Sequence, residues 1–296
     1  MIKQAEIKRI SEQNGVPKSQ IDKNWVLSYL LYAIISLPEL KDIMIFKGGT
    51  CLKKCYFPDY RFSEDLDFTL LDSSFVFNTK LIQKIIHKAT ELSFNEDYNR
   101  GIIFKLKKIE ETQSKDVEQG YKIYIHYWGA DHRKNDFPSD SNSSWHHTIK
   151  LDINHTEEVI FPVNELLIHH NYSDVIKFRN VFVKAYSIEE VLSEKLRALI
   201  QRKYTSPRDC YDIWYLKNNY DNLDWKLIAN GFLRKMQSKN ISFEGAEQLL
   251  NAKKERILKH HWNNQLQNQF QMGQLPDYNI VIEELKPFFK ELFKNL

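Results

Sequence analysis

The chain has 296 residues, of which 42% are hydrophobic and 27% charged, a composition typical of soluble globular proteins and not of disordered or membrane ones. Its 42 basic and 39 acidic residues leave a net charge of +3, which is too small to indicate nucleic-acid binding by itself. The polar first ten residues contain no apolar export signal, and the apolar run 25–37 is shorter than the roughly 20 residues of a membrane span, so we expect a cytoplasmic protein.

The first half of the chain predicts helices and strands in alternation. A helix is expected over 19–37, with Ser19 as its N-cap and an end before Pro38. A strand over 43–46 stops at a Gly-Gly turn, from which a helix begins near Thr50. A helix over 81–92 is also predicted, with further strands over 66–71, 102–109, 121–128 and 148–154. The polar stretches 110–118 and 131–144 are predicted to be loops.

After about Tyr186 the pattern predicts helices only. These helices are expected over 187–202, 207–218, 225–237, 242–259 and 280–293. The sequence therefore predicts two domains, an α/β domain over 1–186 and a helical domain over 187–296 that completes the cleft.

Two features near the first Gly-Gly turn indicate phosphate and metal chemistry. Gly48 and Gly49 lie at a strand-to-helix turn, where backbone N–H groups can approach a phosphate, although many tight turns contain the same pair. Asp65 and Asp67 flank Leu66 at the start of a strand, where the two-residue period directs both carboxylates to one side. Such a pair is a hard-oxygen site suited to Mg²⁺, and the alternative is a solvated turn.

A third carboxylate lies on the predicted strand 148–154. The apolar residues of this strand share one face, which leaves Asp152 on the other. If this strand neighbours the strand of Asp65 and Asp67, the three carboxylates can hold two metal ions about 3.5 to 4 Å apart. Otherwise Asp152 is an ordinary acid on a polar strand face.

The helical half also contains charged residues on inward faces. Lys195 lies in the middle of the apolar face of the helix over 187–202. Its ammonium either reaches solvent at the edge or meets an anion, for which a triphosphate and Asp209 are candidates. Asp209 and Asp212 share the inward stripe of the next helix, although Asp209, close behind Pro207, could instead cap that helix.

One aromatic set has a less specific interpretation. Tyr121, Tyr124, Tyr127 and Trp128 belong to one predicted strand, and they are more typical of sheet packing than of a base-stacking platform.

These motifs resemble the AbiEii/AbiGii nucleotidyltransferases, the toxins of type IV toxin–antitoxin systems. The resemblance rests on Gly48-Gly49-Thr50 followed by Arg61-Phe62-Ser63-Glu64-Asp65-Leu66-Asp67. It extends over roughly residues 20–220, to Asp22-Lys23-Asn24-Trp25, Lys150-Leu151-Asp152-Ile153, Glu194-Lys195-Leu196-Arg197-Ala198 and Arg208-Asp209-Cys210-Tyr211-Asp212. Asn24 departs from the family, whose members often carry an acid there.

The resemblance implies an α+β fold, in which a DNA polymerase β-like nucleotidyltransferase core with a mixed sheet and helices precedes a helical domain. It also implies NTP and Mg²⁺ as ligands, and several members of the family modify tRNA acceptor ends. The implied phosphate-binding residues are Gly48, Gly49, Thr50 and Ser63. Asp65 and Asp67 belong to the second motif, Lys195 to the third, and Asp209 with Asp212 to the fourth.

We therefore expect a Mg²⁺-dependent enzyme that transfers a nucleoside monophosphate from an NTP to an acceptor, such as the 3′ end of a tRNA. The resemblance implies that this activity inhibits growth and that a cognate antitoxin is encoded nearby. Two alternatives stay open. The acceptor could be a protein or a small molecule, because nothing in the sequence identifies it. The chain could also bind a nucleotide without turnover, although a binding site alone does not need all three carboxylates.

Overall fold

The structure, a computed structural model, describes residues 1–112, 119–133, 135–138, 145–202 and 204–294. The chain divides into two compact units, Met1–Glu157 with Val163–Ala185, and Glu158–Pro162 with Tyr186–Leu296. In the part of the chain that is described, no helix has both the length and the apolar character needed to cross a membrane.

The first unit is built on a mixed sheet. In the described residues its strands are β1 (Met44–Lys47), β2 (Leu66–Leu70), β3 (Ile103–Thr112), β4 (Gly120–Trp128), β5 (His147–Asn154), β6 (Asn164–Leu167) and β7 (Phe182–Ala185). Their order across the sheet is β3-β4-β5-β2-β1-β7-β6. The pairs β2–β5 and β1–β7 are parallel, and the other neighbours are antiparallel.

Helices cover one face of this sheet. They are α1 (Gln4–Asn14), α2 (Lys18–Ile35), α3 (Gly48–Cys51), which continues into a π-helical turn over Leu52–Tyr56, and α4 (Thr79–Leu92). The helix α2 is buried on nearly all sides, since Trp25, Leu30 and Ile34 have no exposed surface. Together with the apolar side chains of β4 and β5 it forms the core of the first unit. The alternate residues of these strands point to the other face of the sheet.

The second unit is helical. Its described helices are α5 (Ile188–Gln201), α6 (Pro207–Asn219), α7 (Trp225–Ser238), α8 (Ala252–Leu266) and α9 (Tyr278–Leu292). The segment Glu158–Pro162 precedes the predicted domain boundary but belongs to this unit. The reason is Glu190 on α5, whose Oε2 accepts hydrogen bonds from the backbone N–H groups of Ile160 at 2.9 Å and Phe161 at 2.7 Å.

Three elements were not predicted from the sequence. The strands β6 and β7 are four residues long, and their sequences, Asn-Glu-Leu-Leu and Phe-Val-Lys-Ala, show no alternation of apolar and polar residues. The helix α1 buries only Ile7 and has a mainly polar surface. Short or exposed elements of this kind give weak periodic signals.

Several predicted boundaries are wrong. Ser19 does not cap α2, because that helix already begins at Lys18 behind Pro17. β3 continues to Thr112, where it pairs with Gly120, so part of the predicted loop 110–118 is strand. The remainder, 113–118, lies outside the described residues, as do 134 and 139–144 of the other predicted loop.

The predicted helix 242–259 also differs from the structure. The segment before Asn251 contains only a short 3₁₀ turn, and α8 begins at Ala252. Gly245 has a φ of 138°, a conformation that interrupts a helix. The side chain of Asn251 then accepts hydrogen bonds from the N–H groups of Lys253 and Lys254, which caps α8.

Candidate active site

Two aspartates from different strands lie side by side in the sheet. Asp67 is the second residue of β2, and the parallel register with β5 places Asp152 directly beside it. Asp65 immediately precedes β2. The condition set in the sequence analysis, that the strand of Asp152 neighbours that of Asp65 and Asp67, is met.

The pKa of Asp67 shows how crowded these carboxylates are. Burial, followed by repulsion from Asp65 and then Asp152, raises its pKa to about 7. Lys150 and Lys47 oppose this rise. Lys47 lies across from Asp67 in the antiparallel register of β1 and β2. Three acids therefore share one edge, and their mutual repulsion is only partly offset by nearby cations.

Lys150 joins two of the acids. Its Nζ lies 3.3 Å from Oδ2 of Asp65 and 3.2 Å from Oδ2 of Asp152. Burial disfavours its charged form, but attraction to Asp65, Asp152 and Asp67 outweighs burial and raises its pKa. Lys150 had no predicted role. The one available signal was its position two residues before Asp152, on the same strand face.

The donor atoms at this edge fit a divalent cation such as Mg²⁺. They are carboxylate oxygens, the ligands that Mg²⁺ prefers. The positively charged ammonium of Lys150 already lies between two of these carboxylates, those of Asp65 and Asp152. In the described residues no three His, Cys, Asp or Glu side chains are arranged so that they could hold a metal ion as they stand. A cation bound by both Asp65 and Asp152 would compete with Lys150 for the carboxylate oxygens that it contacts.

The glycine turn packs directly against the acids. Gly48 has a φ of 78°, and a Cβ there would collide with the carboxylate of Asp67. A Cβ on Gly49 would lie 2.8 Å from a guanidinium nitrogen of Arg61 and 3.2 Å from the hydroxyl of Ser63. Gly48 is thus restricted to glycine by its positive φ and by the carboxylate of Asp67, whereas a side chain at Gly49 would displace the guanidinium of Arg61.

Thr50 and Arg61 connect this turn to the acidic strand. The hydroxyl of Thr50 donates a 2.5 Å hydrogen bond to the backbone carbonyl of Asp65. Arg61 is buried, and its Nη1 donates to the carbonyl of Phe62 at 3.3 Å. Arg61 was part of the sequence motif without an assigned role. The structure places its guanidinium beside Gly49.

The remaining predicted residues come together in the second unit. The Nζ of Lys195 lies 3.1 Å from Oδ1 of Asp209 and 2.5 Å from Oδ2 of Asp212. Arg202 also contacts Asp209, at 2.6 Å. Of the two alternatives for Lys195, an anion partner is therefore correct, and the partners include both acids. Asp209 lies in the first turn of α6 and is part of this ion-pair cluster.

The structure separates the aromatic residues of β4 into two groups. Tyr121 and Tyr127 are buried in the core, as expected for sheet packing. Tyr124 is half-buried on the opposite face, where Nζ of Lys108 lies 4.5 Å from the centre of its ring. Trp128 is half-buried too, and its ring is stacked on His132 at 3.7 Å.

Basic side chains lie near Tyr124 in the sheet. In the register of β4 and β5, Lys122 pairs with Asp152 and Tyr124 with Lys150. The strand face that carries Asp152 thus continues into positions occupied by lysines and an aromatic ring. Glu110 lies on the same face, opposite Lys122, and pairs with Lys108. We call the face formed by Lys108, Glu110, Lys122, Tyr124 and Lys150 the lysine–tyrosine face.

Comparison with known proteins identifies a family. Residues 29–286 match the family model described as nucleotidyl transferase AbiEii toxin of type IV toxin–antitoxin systems. The fold is similar to MenT4, a nucleotidyltransferase toxin from Mycobacterium tuberculosis H37Rv, with a TM-score of 0.67 and 16% identity over 100% of this chain and 91% of that one.

A second solved structure is also similar. JHP933 from Helicobacter pylori has a TM-score of 0.51 and 18% identity, over 95% of this chain and 94% of that one. At these identities both likenesses concern the fold alone, and the predicted α+β fold with a mixed sheet and carboxy-terminal helices is confirmed. No curated protein matches the sequence.

Proposed function

We propose that the chain, which belongs to the AbiEii family of nucleotidyltransferase toxins, transfers a nucleoside monophosphate from an NTP to an RNA. The proposed acceptor is the 3′ end of that RNA, such as the 3′ end of a tRNA, and the reaction would depend on Mg²⁺. Membership of the family makes the chain a nucleotidyltransferase. The observation that carries the proposed mechanism is the alignment of Asp67 with Asp152, next to Asp65 and a glycine turn.

In the proposed reaction, a hydroxyl of the acceptor attacks the α-phosphate of the NTP and pyrophosphate leaves. Asp65, Asp67 and Asp152 would hold Mg²⁺. The chemistry that Mg²⁺ supplies at such a site is a lower pKa for the attacking hydroxyl and neutralisation of the leaving group's charge.

The glycine turn would bind the triphosphate. The backbone N–H groups at the strand-to-helix turn of Gly48 and Gly49 would contact the phosphates. The hydroxyls of Thr50 and Ser63 are available as further polar contacts, although that of Thr50 is directed to Asp65 in this structure. The guanidinium of Arg61 beside Gly49 adds a positive charge that favours the phosphates.

The cluster of Lys195, Asp209 and Asp212 is assigned to the same reaction through the third and fourth family motifs. Lys195 would offset the charge of the NTP. Its ion pairs with both acids hold the ammonium in a defined position, which is the kind of preorganisation that electrostatic catalysis uses.

The lysine–tyrosine face favours a nucleic acid as the acceptor. Lys122 supplies positive charge for a phosphate backbone, whereas Lys108 is paired with Glu110 and Lys150 with Asp65 and Asp152. The half-buried ring of Tyr124 offers a surface on which a base can stack. The face begins next to Asp152, because Lys122 is its partner in the sheet. An RNA end bound there would lie close to the carboxylates.

Transfer of label from NTPs tests the proposal directly. The protein is incubated with each labelled NTP, Mg²⁺ and total RNA, and an Asp67→Asn variant serves as the control. We expect label in RNA with the wild-type chain only. Label in protein or small molecules would show a different acceptor, and no label in any fraction would favour a nucleotide-binding protein without turnover.

The family also implies a partner. Its description pairs the toxin with an antitoxin in a type IV system, and we propose that the cognate antitoxin is encoded nearby. Because the proposed substrates, NTPs and tRNA, are cytoplasmic, we propose that the chain acts in the cytoplasm.

A further inference from the structure

Lys150 occupies an unusual position for an ion-paired lysine. It contacts the same oxygen type, Oδ2, of Asp65 at 3.3 Å and of Asp152 at 3.2 Å. About one third of each of the three side chains is exposed, 29% for Lys150, 35% for Asp65 and 34% for Asp152. Ion pairs with this much exposure contribute little to folding. Stability alone therefore gives no strong reason for a lysine between these two acids.

The surrounding charges give a better reason. Three carboxylates meet at this edge, because Asp67 pairs with Asp152 in the register of β2 and β5 and Asp65 directly precedes β2. Without a cation the acids would be driven apart. Because Lys150 belongs to β5, the strand fixes its backbone so that the ammonium lies between Asp65 and Asp152.

Lys150 and a divalent cation would compete for the same carboxylate oxygens. A divalent cation that binds Asp65 and Asp152 needs oxygens that Lys150 already holds, and two cations a few ångströms apart repel each other. The ammonium must therefore move away when a metal ion binds. The residue that pairs with Lys150 on the neighbouring strand is Tyr124, which lies on the face where we place the acceptor.

We propose that Lys150 is a positioning residue that acts as an internal counter-ion: it holds Asp65 and Asp152 together in the metal-free protein and competes with divalent cations for them. This inference rests on the proposed function, since it assumes that the same carboxylates bind the metal. It predicts that the free protein binds divalent cations weakly because of one lysine.

Binding of Mn²⁺ to the full-length protein without nucleotide tests the inference. Mn²⁺ uses the same oxygen ligands as Mg²⁺, and its free concentration is measured by electron paramagnetic resonance. Lys150→Met keeps most of the side chain and removes the charge, so we expect about tenfold tighter binding. Lys150→Arg should bind as weakly as the wild type.

Lys184→Met is the matched control. Lys184 is also a strand lysine of the first unit, and its Nζ pairs with Asp42 at 2.9 Å, away from the three acids. Its loss should leave Mn²⁺ affinity unchanged. Equal affinity for wild type and Lys150→Met, or weaker binding by the variant, would overturn the inference while leaving the metal site intact.

Chemical labelling of the wild-type chain gives an independent measurement that does not depend on a variant's folding. Acetylation of each lysine is followed by mass spectrometry as Mn²⁺ is added. Lys150 should become several-fold more reactive as Mn²⁺ saturates the site, and Lys184 should not. An unchanged rate at Lys150 despite bound Mn²⁺ refutes the competition. If neither wild type nor Lys150→Met binds Mn²⁺, this inference and the metal assignment of the proposed function both fail.

Discussion

At the scale of single residues, Asp67 is a proposed metal ligand and also changes the stability of the folded chain with pH. Its pKa is raised from the ordinary value of 3.8 to about 7, first by burial and then by Asp65 and Asp152. The folded state therefore keeps a proton that the unfolded chain has lost above about pH 4. It follows that this group lowers the stability of the metal-free protein progressively as the pH rises from about 4 to 7.

Asp67→Asn should separate the two effects. The amide keeps the shape and removes the charge, so transfer should fall by orders of magnitude. The free energy of unfolding in EDTA should exceed that of the wild type by about 1–2 kcal/mol at pH 8, after allowance for partial exposure, and the difference should vanish near pH 4. Urea unfolding between pH 4 and 8 measures it. Near-normal transfer, or no gain in stability at pH 8, would contradict this assignment.

Asn24, where the chain departs from its family, also makes a residue-scale prediction. Its Oδ1 accepts hydrogen bonds from Nζ of Lys54 and from the hydroxyl of Tyr172, both at 2.9 Å. Its Nδ2 is buried without a partner among the described residues. Lys54 also donates to the hydroxyl of Ser28, and burial holds its pKa well below the usual value.

Asn24→Asp replaces the unsatisfied amide with a carboxylate beside the buried ammonium. We expect a gain of about 1–2 kcal/mol in the free energy of unfolding at pH 7. Asn24→Leu, which removes the acceptor, should lose stability and serves as the control. Thermal and urea unfolding of the three proteins give the comparison. A loss of stability in the Asn24→Asp variant would mean that Lys54 is neutral in the folded chain.

At the scale of elements, a buried ion pair links α5 and α7. The Nζ of Lys235 lies 2.5 Å from Oε1 of Glu190, and both side chains have no exposed surface. Lys235 also donates to the backbone carbonyl of Glu158 at 2.8 Å. The pair thus holds two helices and the segment Glu158–Pro162 together.

Lys235→Met should be severely destabilising, by about 3–5 kcal/mol, because it leaves the charge of Glu190 buried without its cation. Arg234→Met, at the next position, removes an exposed ion pair with Glu158, and it should change stability little. Urea unfolding monitored by tryptophan fluorescence distinguishes them. Similar stabilities for both variants would show that the buried pair is not what joins these elements.

The elements also show how far the sequence predicts the structure. The alternation of β5 was sufficient to place Asp152 on a polar face, and the spacing of Asp65 and Asp67 indicated a shared edge. The alignment of Asp67 with Asp152 required knowledge that β2 and β5 are neighbours. Strand order depends on contacts between distant segments, and local periodicity does not contain it.

Lys150 and Arg61 were missed for a related reason. The role of each side chain depends on a contact with another segment of the chain. Lys150 contacts Asp65, and Arg61 lies beside Gly49. The separate environments of Tyr124 and Tyr127 depended likewise on which face of β4 the helices cover. Side chains whose roles depend on tertiary neighbours give no signal in composition or spacing.

At the scale of the whole molecule, family membership predicts a cellular effect. Expression of the wild-type chain should slow bacterial growth, and expression of Asp67→Asn should not, because the proposed transfer reaction requires that carboxylate. Growth curves and viable counts after induction, at equal protein levels confirmed by immunoblotting, provide the measurement. Equal growth with both forms would contradict a toxic transferase activity.

The parallel pairing of β2 with β5 has a consequence for the order in which the molecule is made. A parallel pair cannot be closed by a short hairpin, and here α4, β3 and β4 lie between the two strands in the chain. As the polypeptide leaves the ribosome from its amino terminus, β5 must emerge and insert between β4 and β2 before Asp152 can join Asp67. Every nascent chain that ends before this strand lacks the third carboxylate and the lysine between the acids. The proposed toxin would thus remain harmless during the early part of its own synthesis.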